Sequence, residues 1–152
     1  QYDLNNINEI LMKFKTENCD LILGNRFYNY KRTLNNGMPL HIFFGNIFLS
    51  QIARIGLGLK FEDFFPGQRA YSKKFFDIIK NYLLPEGYQF SFEIIMLSKL
   101  HNLKISSVNT ECNYKGEKKT APIIYIFSCL YHLLTTIFLF RLNKKKIFSK
   151  KK

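Results

Sequence analysis

From Ile123 to Phe140 the chain runs for eighteen residues without a formal charge, and it then closes on a tail containing six lysines, Lys144 to Lys146 and Lys150 to Lys152. An apolar run of that length has to be withdrawn from water, either into a protein core or into lipid. Extended through Arg141 and Leu142 it covers about 20 residues, the minimum for a helix that spans a bilayer. Ser128, His132, Thr135 and Thr136 fall on one helical stripe within it, a mild amphipathicity that leaves hydropathy undecided. The flanking charges narrow the choice. Lys115, Lys118 and Lys119 precede the run, and Arg141 and the six tail lysines follow it. A single span would place basic flanks on both sides of a membrane, against the preference for Lys and Arg on the inner side. The expectation is therefore an in-plane helix, or a hairpin of two half-length helices, on a membrane surface. A single span and a buried core helix are the alternatives.

Charge is uneven in the same sense. The net charge is +12, but residues 1–114 carry 13 Lys and Arg against 10 Asp and Glu, whereas residues 115–152 carry 10 against 1. A nucleic-acid-binding domain would carry its basic excess over the folded part. A basic tail beside an apolar segment points instead to an anionic membrane surface, with no nucleic acid as partner. Apolar residues make up 47% of the chain, too many for disorder, and they suffice for one domain with a core. Cys19, Cys112 and Cys129 fit no zinc or redox spacing and read as reduced thiols. His41, His101 and His132 are scattered and read as packing or surface residues rather than metal ligands.

Along the chain, Asn5 or Asn6 is expected to cap a first helix carrying Ile7, Ile10, Leu11 and Phe14 and ending near Asn18. Cys19 to Gly24 reads as a buried strand. Asn25 to Pro39 reads as polar loop, with a turn at Asn35-Asn36-Gly37. Leu40 to Leu57 has helical spacing and stops at glycines. Phe61 to Gly67 reads as a loop, 70–84 as a helix broken by Pro85-Glu86-Gly87, Phe90 to Leu100 as a helix and Lys104 to Val108 as a strand. Asn109 to Thr120 reads as an exposed segment. Helices alternating with short strands give an α/β class.

Several stretches together resemble one family. Asp20-Leu21-Ile22-Leu23-Gly24-Asn25-Arg26-Phe27, Pro39 with Gly45-Asn46 and Leu49, Asp63 to Tyr71, Phe90-Ser91-Phe92-Glu93, and Tyr114 to Lys119 follow the order and spacing of motifs in family-2 glycosyltransferases. The branch they resemble makes polyprenyl-phosphate sugars. Gln68 and Lys118 depart from that pattern, standing where Phe and Ser are usual. The resemblance implies the C-terminal, acceptor-side part of a GT-A (Rossmann-like) domain over 1–120, followed by a membrane-associated apolar helix over 121–142 and a basic tail over 143–152. Gln1-Tyr2-Asp3 resembles the residues after the family's Asp-x-Asp motif. The resemblance therefore places the donor half, and the ligands of a divalent metal (Mg or Mn), upstream of Gln1. Residues 1–152 alone are expected to be inactive.

The partners it implies are a nucleotide-sugar donor, a lipid-phosphate acceptor and a membrane surface, with the catalytic part on the cytoplasmic side. Asp63 is the expected catalytic group. It would be a general base toward a hydroxyl, or an orienting group if the acceptor is a phosphate already ionised at neutral pH. Arg26, at a strand end, has the planar fork that grips phosphate, and Arg69 follows a glycine that lets backbone approach a ligand. Arg69 is also a candidate partner for Asp63. Glu93 reads equally as a site residue and as a helix-dipole carboxylate. Tyr114, Lys118 and Lys119 are candidates for a basic flap over phosphates. The function of another class that the sequence allows is a non-catalytic membrane-surface adaptor.

Overall fold

The structure, a computed structural model, describes residues 6–82, 87, 89–116 and 124–142. It is mixed α/β: a small three-stranded sheet with helices on both faces, two of them long and apolar.

Helix α1 (Ile7–Glu17) starts after Asn6, whose side chain makes no capping bond, and stops at Asn18 in the left-handed conformation, which asparagine tolerates. Strand β1 (Leu21–Asn25) is the centre of the sheet. It pairs antiparallel with β2 (Arg69–Tyr71) and parallel with β3 (Ile105–Asn109). Alternation along β1 assigns its two faces. Ile22 joins Ile10, Cys19 and Val108 under α1, while Leu21 and Leu23 enter the larger core on the other face.

That larger core is built from α3 (Leu40–Leu57), α4 (Lys73–Ile79), α5 (Phe90–Leu100) and α6 (Ile124–Arg141). Every residue of α5 from Ser91 to Ser98 is buried, so this short helix is the hub. Cys129, Leu133 and Ile137 of α6 lie in the same core as Leu21 and Phe64, so the apolar helix is joined to the α/β part through one continuous packing. The helix α6 is unbroken, which removes the hairpin of two half-length helices expected as one arrangement of this segment.

Three stretches differ from the sequence reading. The segment from Asn109, expected to be exposed, begins inside β3 and buries Thr110 and Cys112. The stretch 70–84 does not begin as helix. Arg69 to Tyr71 are drawn into the sheet by Leu21 to Leu23, and helix starts only at Lys73, where the Ser72 hydroxyl accepts from Phe75 N at 3.0 Å. The polar loop 25–39 contains a short helix, α2 (Tyr30–Asn35), capped by Asn29, whose side-chain oxygen accepts from Arg32 N. Gly37, at φ +88°, supplies the expected turn.

Asp20 ties the sheet together. Its carboxylate accepts from Ser72 Oγ at 3.1 Å, Lys74 Nζ at 3.0 Å and Lys104 N at 3.0 Å, linking the ends of all three strands. Burial alone would raise its pKa. The Lys104 N–H, the Lys74 ammonium and the Ser72 hydroxyl outweigh burial and hold it below the usual aspartate value.

Candidate functional site

In an α/β sheet the ends of the strands are where ligand-contacting groups are presented, because chain direction and helix termini converge there. Here the carboxyl ends of β1 and β3 lie side by side. A shallow cleft opens beyond them, lined by Arg26, Tyr28, Arg32, Thr33, Thr110 and Glu111. Gly24 makes the approach possible. A β-carbon there would stand 2.7 Å from the Thr110 methyl and 3.2 Å from Gln68, so any side chain would push the strand ends apart.

Arg26 leaves β1 into the floor of this cleft and is 8% exposed. Its Nε donates to Asp63 Oδ2 at 2.6 Å and its Nη2 to Asp63 Oδ1 at 3.0 Å, a two-point fork. Nη2 also donates to the Phe65 carbonyl at 2.9 Å, and Nη1 to the Tyr114 hydroxyl at 2.9 Å. Asp63 is 2% exposed, and its Oδ1 further accepts from Phe65 N. Both oxygens of Asp63 are thus engaged, and Asp63 meets Arg26 rather than Arg69.

Arg69 lies on the other side of the same loop. Its Nε donates to the Pro66 carbonyl at 2.7 Å, its Nη2 donates to Ser91 Oγ at 2.7 Å, and the guanidinium stacks over Phe90 at 5.2 Å. Its Nη1 has no partner among the described residues, so the half-buried guanidinium retains donors for a ligand.

Glu93 is drawn from the first turn of α5 toward α6. It is 5% exposed, and its carboxylate is 3.0 Å from His132 Nε2. Burial pushes Glu93 up to about 7. A protonated Glu93 carboxyl can donate to the imidazole nitrogen at that distance. The polar stripe on α6 is thereby accounted for in part: His132 faces Glu93, and Ser128 accepts from Gln89 at 3.4 Å.

Among the expected site residues, the structure brings Arg26, Asp63 and Tyr114 into contact and places Arg69 on the adjoining loop. Glu93 lies two residues from Arg69's partner Ser91, with its side chain turned to His132. Lys118 and Lys119 lie outside the described residues. Sequence reasoning passed over His132, treated as a packing or surface residue, although its place in a polar stripe on an apolar helix was a signal. It also passed over Ser91 and the Arg32–Glu111 ion pair at the cleft rim. Gln68, one of the departures from the family pattern, has a local task. It exchanges hydrogen bonds with the Asn6 amide at 3.0 and 3.1 Å and accepts from the Thr110 hydroxyl.

Among the described residues no three His, Cys, Asp or Glu side chains are grouped as a metal would require. All three cysteines are buried, and burial pushes the thiols of Cys19 and Cys129 up, away from nucleophilic character. The helices α3 and α6 are each long and apolar enough to cross a membrane, with mean hydropathy 1.3 and 1.5. Only 17% of the α6 window is buried, so much of its apolar surface is exposed. Comparison of the chain with known protein families, with curated proteins and with solved structures finds no match.

Proposed function

We propose that this chain is the acceptor-side part of a family-2 glycosyltransferase of GT-A fold, transferring a sugar from a nucleotide donor to a polyprenyl phosphate at the cytoplasmic face of a membrane. One observation carries the reading. Four of the five segments that resemble the family's motifs, scattered over about 90 residues, converge on one loop. Arg26 reaches Asp63, Phe65 and Tyr114, and Arg69 reaches Pro66 and Ser91.

In this reading Arg69, with donors to spare, binds phosphate oxygens, and Arg26, paired with Asp63, fixes the loop and Tyr114 at the cleft floor. Asp63, with both oxygens engaged, is a positioning residue that fixes the Arg26 fork. That suits a phosphate acceptor, whose second ionisation lies near 6 and which needs no base at neutral pH. An acceptor phosphate oxygen attacks the anomeric carbon, and the bond from that carbon to the nucleoside diphosphate breaks in line, with the inversion the family resemblance implies. A divalent metal would neutralise the leaving diphosphate. By the family resemblance, residues preceding Gln1 would hold it. Sugar nucleotides are mostly cytosolic, which favours the cytoplasmic side.

The test is kinetic. In the full-length protein, Arg69→Ala and Arg26→Ala are expected to lower kcat/KM at least about tenfold, roughly 1.4 kcal/mol of transition-state stabilisation. Unchanged kinetics in both would reduce them to structural residues and remove the proposed site.

A further inference from the structure

The two apolar helices have a relationship that decides how they can meet a membrane. A β-carbon on Gly45 would fall well inside contact distance of Ile126, and one on Gly56 inside that of Ile137. Gly45 and Gly56 are as far apart along α3 as Ile126 and Ile137 are along α6. The helices therefore lie parallel, side by side, with small residues of one under isoleucines of the other.

Their outer faces coincide. At 3.6 residues per turn, going round α3 from the Gly45–Gly56 row leads one way to buried Leu49, Ala53 and Leu57 and the other way to exposed Phe48 and Phe44. On α6, going round from the Ile126–Ile137 row leads to buried Cys129 and Thr136 in the opposite sense, and to exposed Phe127 and Leu134 the other way. Opposite senses on two helices that face each other put both buried rows on one side and both exposed rows on the other. The result is a single apolar face about 27 Å long, on which Phe44 is 63% exposed, Ile55 76%, Phe127 67% and Tyr131 73%.

Neither helix can cross a bilayer in this arrangement. The strand β1 precedes α3, whereas β2 and β3 follow it, and β1 is hydrogen-bonded to both. A spanning α3 would separate strands that are paired. Because α6 lies along α3 with its inner row in the same core, it shares that orientation.

We infer that α3 and α6 together form a monotopic platform that lies in the plane of an anionic lipid surface, its shared apolar face sunk to the headgroup–acyl boundary. Charge favours lipid over a protein partner. Neither helix contains an Asp or Glu. Running parallel, both bring their basic ends, Arg54 and Arg141, to the same end of the platform. In sequence, the tail with its six lysines follows directly. An apolar face bordered by cations and free of carboxylates matches an anionic leaflet. This inference shares with the proposed transferase only the presence of a membrane, and its test reads depth rather than transfer.

The chain contains no Trp, so a single introduced indole is a clean depth probe. Phe127→Trp and Phe138→Trp place it at two points about 16 Å apart along α6. The full chain would be mixed with phosphatidylcholine–phosphatidylserine vesicles whose lipids are brominated at shallow or deep acyl positions. Tyr131→Trp replaces either variant that fails to fold. The platform predicts that both indoles are quenched to the same extent, more by shallow than by deep bromines. It also predicts that phosphatidylcholine-only vesicles bind at least about tenfold more weakly. Different depths at the two positions would establish a span and overturn the inference. Absence of quenching at both positions would assign the face to a second copy or another protein and overturn it equally.

Discussion

Arg26 and Asp63, separated by 37 residues in sequence, form a two-point ion pair sealed from water. A buried pair of this kind is costly to break, because whichever charge remains has no solvent to receive it.

Asp63→Asn is therefore expected to lower stability by about 3 kcal/mol, on top of any loss of activity, since Asn cannot accept the Arg26 fork at two anionic oxygens. Chemical denaturation measures this. A double-mutant cycle with Arg26→Met should show that the two losses are not additive. Additive losses would mean that the pair is not the unit the geometry describes.

Glu93 predicts a pH dependence. Unfolded, it loses its proton near the usual 4.5, and folded it keeps it up to about 7. Between these values the folded state binds more protons. The contribution is therefore fully present below 4.5 and is lost as pH rises through about 7. Up to about 3 kcal/mol is at stake. Thermal midpoints should be higher at pH 5 than at pH 8, and Glu93→Gln should flatten that difference. An unchanged slope in the variant would assign the effect to other groups.

Asp20 predicts the opposite sign. Its folded pKa lies below the usual 3.8, so its contribution is present above that value and lost as pH falls through the folded pKa. Asp20→Ala removes acceptors for three donors and is expected to cost about 1–3 kcal/mol at neutral pH. Hydrogen exchange at β1, β2 and β3 would show the loss spread over all three strands, and a loss confined to one strand would contradict the tie.

The close approach of α3 and α6 is testable at Gly56, where a side chain would meet Ile137. Gly56→Val is expected to cost about 1–3 kcal/mol through overpacking. Adding Ile137→Ala should recover part of that loss. A Gly56→Val protein as stable as the parent would mean that the helices do not touch there.

Much of this architecture was legible in the sequence, for identifiable reasons. Leu40 to Leu57 and Phe90 to Leu100 carry apolar residues at helical spacing over three or more turns, and both appear as helices with the expected ends. The strand at Leu21 was marked by a short apolar run, and both it and the strand at Ile105 lie displaced by one or two residues from the expected bounds. By contrast, β2 is three residues long and exists because β1 pairs with it, so no local pattern announces it. The contacts that build the site share that invisibility. The resemblance to the family's motifs could nominate Arg26 and Asp63, but not join them. His132 meets Glu93 only because α6 packs across α5. Nothing in the run of Ile, Leu and Phe indicated which side of α6 would be buried.

The central claim is the transfer itself. The full-length protein, with a divalent cation, would be given radiolabelled nucleotide sugars and vesicles carrying polyprenyl phosphate. The account predicts label in the organic phase as an acid-labile polyprenyl-phosphate sugar, with formation abolished by chelator and reduced at least about tenfold in Arg69→Ala. Protein that binds those vesicles but yields no lipid-linked sugar from any donor would contradict it and leave a membrane-surface adaptor in its place.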